Sequence, residues 1–197
     1  MKIIPGSPTD ALLRFALFLA PALLLVSSIA YSVSGDTPSA TAGLLQNLAF
    51  VGFGLVVVKL ASLVASAPRA AAALLVLGTV GVAGGIGYGV NAMAMAVADL
   101  DLNQDPGVAG VAVKVFGLSF PLCLVGFGLL LRSTRAVPAP AALALALGGV
   151  LFPIGRIPGI DVAVFACDLT LILALSAIAL KAEAVAERGA PESVSAR

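Results

Sequence analysis

The sequence contains no histidine and no tryptophan, and only 11% of its 197 residues are charged. The missing histidine excludes His-ligated haem and zinc centres, and it excludes catalytic pairs in which histidine activates a serine or a cysteine. A soluble globule of this length needs more polar surface than so few charges provide. The composition therefore argues against histidine-dependent enzymes and against a water-soluble domain.

Cysteine and clustered positive charge are also scarce. The only two cysteines, Cys123 and Cys167, both lie within apolar stretches, and we predict that they are small buried side chains rather than a disulfide framework. The formal net charge is +1, and no run of lysine or arginine forms a basic patch. Nucleic acid is therefore not expected as a partner.

Apolar residues, by contrast, make up 60% of the chain and fall into long runs. A helix needs about 20 apolar residues to cross a bilayer, and the runs have that length. The predicted fold is an all-α integral membrane protein, a single bundle of six transmembrane helices over residues 1–182, followed by a polar cytoplasmic tail over 183–197. The predicted spans are residues 11–33, 43–66, 70–97, 108–131, 139–157 and 160–181.

Local signals mark where these helices start and turn. Ser7 followed by Pro8 and Asp10 is typical of a helix start, and Asp105 with Pro106 predicts the same for the fourth helix. The fifth span is short and the turn that follows it is tight. The alternative for the last two spans is one helical hairpin that is re-entrant at its tip, the turn at Pro158 and Gly159.

The orientation follows from the positive-inside rule, which places lysine and arginine on the cytoplasmic side. With both termini in the cytoplasm, nine of the eleven lysines and arginines fall on that side. The remaining two are Lys114 and Arg156. The predicted location is a bacterial inner membrane. One alternative stays open, that residues up to Ala30 are a cleaved signal peptide, which would leave five spans.

Glycines at positions 81, 85 and 89 of the third span recur every four residues, so we expect them to share one helix face. Small residues allow helix backbones to approach closely in lipid. We predict that Gly81, Gly85 and Gly89 are helix-packing positions rather than a phosphate-binding loop, because such a loop also needs a preceding strand.

Polar side chains collect at the outer end of the predicted bundle, and Asp168 is the most informative of them. An ionised carboxylate at its depth costs at least a few kcal/mol unless it is paired or hydrated. We therefore expect Asp168 to pair with Lys114 or Arg156, to hydrogen-bond to Asn91, or to be protonated. The predicted polar pocket consists of Asp168, Lys114, Arg156, Asp161, Asn91, Asn47 and Gln46. Its structural alternative is an ion pair that only fixes helix register.

Two further charged features have simpler interpretations. The loop residues Asp101, Asn103 and Asp105 alternate as oxygen ligands do in a calcium loop, but the required glycine and glutamate are replaced by Pro106 and Ala112. We interpret this loop as a solvated acidic segment and predict no metal site. Lys59, deep in the second span, is expected to extend its ammonium group to the cytoplasmic interface.

Two functions are compatible with these patterns. The first is a small transporter or a solute- or ion-binding membrane protein that uses the outward-facing pocket. The second is a non-catalytic accessory or structural subunit of a larger membrane complex. No catalytic motif is apparent, so enzyme activity is not expected, and no cofactor is implied. The expected partners are the lipid bilayer and either further copies of the chain or a larger membrane complex.

Overall fold

The computed structural model describes residues 3–4, 6–35, 37–102, 104 and 107–189. These residues form a bundle of six α-helices. The helices are α1 (Pro8–Ser34), α2 (Ala40–Leu63), α3 (Pro68–Ala98), α4 (Val108–Ser133), α5 (Ala139–Arg156) and α6 (Asp161–Gly189). Each is long and apolar enough to cross a membrane. The all-α, six-span prediction is confirmed, and helix α6 continues past the predicted span into the first part of the tail.

The start of α1 follows the signals in its sequence. The Ser7 side chain accepts a hydrogen bond of 3.2 Å from the backbone N–H of Asp10, and Pro8 occupies the first turn. Helix α4 begins directly after Gly107. Asp105 and Pro106, which predicted that start, lie outside the described residues.

The six helices form a closed ring in chain order. Each helix packs on its neighbours in sequence, α6 packs back on α1, and α2 meets α4 across the centre. The centre is filled by Phe50, Phe53 and Phe120, whose rings are fully buried. Their centroids lie 4.9 to 5.8 Å apart, the spacing of favourable aromatic pairs. This aromatic cluster blocks the middle of the bundle.

Large apolar side chains cover the outside of the ring. Val51, Leu129 and Leu173, each near the middle of its helix, are 60%, 55% and 70% exposed. A water-soluble protein rarely exposes so much continuous apolar surface. This surface and the six long apolar helices are those of a multi-pass membrane protein embedded in a lipid bilayer.

The glycines of α3 let two neighbouring helices approach closely, one on each side. An added Cβ at Gly81 would overlap the backbone of Phe120 in α4. At Gly85 it would overlap the Phe50 ring of α2, and at Gly89 the Asn47 side chain of α2. Each glycine therefore stands at a close helix contact, Gly81 against α4 and Gly85 and Gly89 against α2, so the three do not share one face. A four-residue step advances 40° beyond a full turn, which moves the stripe from α4 to α2.

Both cysteines are free and buried, in agreement with their interpretation as small core side chains. The Cys123 thiol points at the carbonyl oxygen of Leu74 at 3.4 Å, and the Cys167 thiol points at that of Gly148 at 3.3 Å. Each contact joins neighbouring helices, α4 to α3 and α6 to α5.

Candidate functional site

A cavity of about 700 Å³ opens at one end of the ring, between the last turns of α1, α3 and α5 and the first turns of α2, α4 and α6. All six helices contribute to its lining. Phe50 of the central aromatic cluster and Phe152 both line it, with ring centroids 6.4 Å apart. The charged side chains in the lining are Lys114, Arg156 and Asp161.

Asp168 lies just beyond the lining and holds Arg156 in place. Its carboxylate is fully buried and accepts a bond of 2.7 Å from Nη2 of Arg156 and one of 2.6 Å from the Ser28 hydroxyl. The same Nη2 lies 3.2 Å from the Ser28 oxygen. The guanidinium carbon also lies 4.7 Å from the centre of the Phe152 ring, a cation–π distance. Arg156 is thus the partner that Asp168 takes, rather than Lys114.

Asn91 contributes to the cavity lining but does not bond to Asp168, and of the alternatives expected for that carboxylate the ion pair with Arg156 is the one observed. The side-chain NH₂ of Asn91 donates to the carboxylate of Asp101 at 3.0 Å, and its oxygen accepts from the backbone N–H of Leu102 at 2.5 Å. Asp99, the residue that ends α3, adopts a left-handed conformation with φ of 52°. That turn folds the following loop back over the helix end, where Asn91 can reach it.

The calcium-like loop falls only partly within the structure. Asp101 is engaged by Asn91, and Asn103 and Asp105 lie outside the described residues. Within the described residues, no three histidine, cysteine or acidic side chains are placed to hold a metal ion.

Gln46 and Asn47 are neighbours in sequence with different positions in the structure. Gln46 lines the cavity and donates a bond of 3.1 Å to the carbonyl oxygen of Gly85, which joins α2 to α3. Asn47 instead packs against Gly89. Its side-chain oxygen is buried, and no described group donates to it. Asn47 therefore belongs to the α2–α3 contact and not to the cavity lining.

Lys114 and Asp161 stand at the same end of the ring. Both side chains are exposed. Asp161 accepts a bond of 3.1 Å from the Ser32 hydroxyl of α1. Lys114 takes part in none of the hydrogen bonds or ion pairs found among the described residues.

A second buried ion pair lies at the opposite end of the bundle, and the sequence analysis missed it. The Lys59 ammonium contacts the Asp10 carboxylate at 2.5 Å, and the exposed fractions of the two side chains are 7% and 5%. Arg14 lies 3.3 Å from the same carboxylate. The prediction that Lys59 extends to the interface is therefore wrong, because it finds a partner inside the bundle. The available signal was that Asp10 and Lys59 lie near the same end of an antiparallel helix pair.

The fold and the site together define a class, namely a six-helix membrane protein with a mainly apolar cavity that is closed at its centre. Comparison of the chain with protein-family models, with curated proteins and with solved structures finds no match.

Proposed function

We propose that this chain is a solute-binding protein of a bacterial inner membrane that acts as a small transporter. The observation that carries the proposal is the cavity of about 700 Å³ to which every helix contributes. Small-molecule sites have volumes of roughly 300–1,000 Å³ and combine mainly apolar walls with a few polar groups. The cavity has both properties, since aromatic and aliphatic side chains surround Gln46, Lys114 and Arg156.

The charge distribution supports an orientation in which the cavity opens away from the cytoplasm. Arg69, Arg132 and Arg135 lie at the end of the bundle opposite the cavity, on the same side as the start of α1. Under the positive-inside rule that end is cytoplasmic, and so are both termini. The acidic residues Asp99, Asp101 and Asp161 then face the outside.

The closed centre supports binding rather than a continuous channel. The aromatic cluster lies directly beneath the cavity, and the Asp10–Lys59 pair joins α1 to α2 at the far end. A solute that enters from outside would therefore reach a blind site. This is the arrangement expected of an outward-facing transporter before its inner end opens.

Native mass spectrometry of the protein in nanodiscs tests the proposal. We expect a ligand to remain bound to the wild-type protein and to be lost from Leu118→Trp, because Leu118 lines the cavity and a larger ring there would fill it. The matched control is Leu122→Trp, one turn further along α4, where the side chain is 61% exposed and outside the lining. This control should keep the ligand.

Two outcomes would contradict solute binding. One is the absence of any bound small molecule from gently extracted protein, and the other is equal retention by both tryptophan variants. Retention of a protein subunit in place of a small molecule would instead favour an accessory subunit of a larger complex.

A further inference from the structure

The three charged side chains in the cavity lining differ in how they are balanced. Arg156 is paired with the buried carboxylate of Asp168 at 2.7 Å, and Asp161 accepts a hydrogen bond from Ser32. Lys114 has no hydrogen-bonding or ionic partner among the described residues. Lys114 is therefore the one basic group of the described lining that is not already paired, and Asp161 carries an opposite charge without an ionic partner at the same end.

Arg156 adds hydrogen-bond donors that the protein itself does not use. A guanidinium group has five N–H donors in a fixed plane. Nη2 serves both Asp168 and Ser28, and Nε is buried, so a ligand in the cavity can meet only the part of the Arg156 side chain, 20% of it, that stays exposed. The cavity thus presents an ammonium group and a guanidinium group that suit an acceptor-rich anion.

The rest of the lining is mainly apolar, and its neutral polar side chains are Ser28, Tyr31, Gln46, Tyr88 and Asn91. Phe50, Phe152 and Leu118 line the cavity beneath the charged groups. From Lys114 to Pro121, both in the lining, α4 advances seven residues, which corresponds to about 10 Å. A bare inorganic anion would leave this depth unfilled, so the ligand needs an apolar body as well as a charged head.

Resting on the proposed function, we infer that the cavity binds an amphipathic monoanion. A carboxylate or phosphodiester head would lie at Lys114 and Arg156, and an alkyl or acyl body would pack on Phe50 and Phe152. Asp161 stands at the same end and opposes further negative charge, which favours a single charge on the head. Such a head could come from a free fatty acid or from a membrane phospholipid.

Binding of radiolabelled decanoate to the protein in phosphatidylcholine nanodiscs tests the inference, with empty nanodiscs as the blank. We expect saturable binding that excess unlabelled decanoate displaces and that decanol and decyltrimethylammonium displace at least tenfold less well. Nanodiscs that also contain phosphatidylglycerol distinguish the source of the head. Lower decanoate binding in them indicates that the phospholipid occupies the site, and unchanged binding indicates a free carboxylate.

Lys114→Met should weaken decanoate binding by about tenfold, the effect of losing one charge-assisted hydrogen bond. The control Lys181→Met removes a lysine from the opposite end of the bundle and should leave binding unchanged. Since Lys114 has no partner among the described residues, its replacement should not disturb folding, which circular dichroism can check.

Equal displacement by decanoate, decanol and decyltrimethylammonium would overturn the anion inference, and so would equal affinities of the two lysine variants. Failure of decanoate to bind at all would also overturn it. In each case the tryptophan variants decide separately whether the cavity binds a solute of another class.

Discussion

Removing either partner of the Arg156–Asp168 pair should destabilise the bundle, and by unequal amounts. The Asp168 side chain is fully buried, whereas that of Arg156 is 20% exposed. Breaking a buried pair by deleting one partner typically costs about 3–5 kcal/mol, because the other charge is left without compensation. Arg156→Gln leaves the fully buried carboxylate behind and should fall in that range. Asp168→Asn leaves a guanidinium that cavity water can reach, so its cost should be lower, about 2 kcal/mol.

Asparagine at this position isolates the loss of charge from the loss of hydrogen bonds. Its side-chain oxygen can still accept from Arg156, and its NH₂ group can donate to the Ser28 oxygen. The Ser28 hydroxyl can then donate to the carbonyl oxygen of Leu24, which lies 3.1 Å away. The double variant Arg156→Gln with Asp168→Asn has no charge left at this pair. It should be more stable than Arg156→Gln alone, so the coupling free energy should exceed the cost of Asp168→Asn, about 2 kcal/mol.

The assay is reversible unfolding of the purified protein in dodecylmaltoside micelles titrated with SDS. Because the chain has no tryptophan, helix content measured by circular dichroism is the signal. Asp161→Asn is the matched control, since that carboxylate is exposed on the same helix and should change the free energy of unfolding by no more than about 0.5 kcal/mol. Additive effects of the two pair variants, or equal effects of Asp168→Asn and Asp161→Asn, would refute the reasoning.

Three further predictions concern the rest of the bundle. In the same unfolding assay, Asp10→Asn should lower the free energy of unfolding by about 3 kcal/mol. Lys59→Met should lower it by less, because Arg14 still neutralises Asp10 when Lys59 is lost. Equal losses of stability in the two variants would contradict this prediction. Gly81→Ala should lower the free energy of unfolding by about 1–3 kcal/mol because it forces α3 and α4 apart. Gly87→Ala is its control and should be neutral or stabilising, since the added Cβ would lie 3.8 Å from Val113, an ordinary contact. In intact cells a membrane-impermeant maleimide should label Thr37→Cys but not Ser133→Cys, and the reverse pattern would invert the proposed topology.

The helices themselves could be predicted from the sequence because each apolar run matches the thickness of a bilayer. The start of α1 was equally readable, since Ser7 and Pro8 act within one turn and need no tertiary context. Helix ends whose conformation depends on the following loop could not be predicted in this way. Asp99 ends α3 in a left-handed conformation, and the position of a residue along the helix does not predict such a turn. That turn is why Asn91 bonds to the loop and not to Asp168.

One of the two buried ion pairs could be predicted from the sequence and the other could not. Arg156 and Asp168 flank one tight turn, so their pairing could be anticipated from their separation of 12 residues. Lys59 and Asp10 are 49 residues apart, and depth alone did not reveal which face of α2 points toward α1. A lysine near a helix end can also place its ammonium group at the membrane–water interface. Only the packing of the two helices decides between that alternative and a buried partner.

The closure of the ring explains why charge is placed at the α1–α6 contact. The connecting loops keep sequence neighbours such as α2 and α3 together, and small residues at their contact suffice. Helices α1 and α6 have no direct connection, and apolar packing in lipid does not distinguish strongly between helix faces. The bonds Ser28–Asp168 and Ser32–Asp161 join residues 140 and 129 positions apart. The buried Ser28–Asp168 bond specifies which faces of the two helices meet, and the same contact positions Arg156 at the cavity.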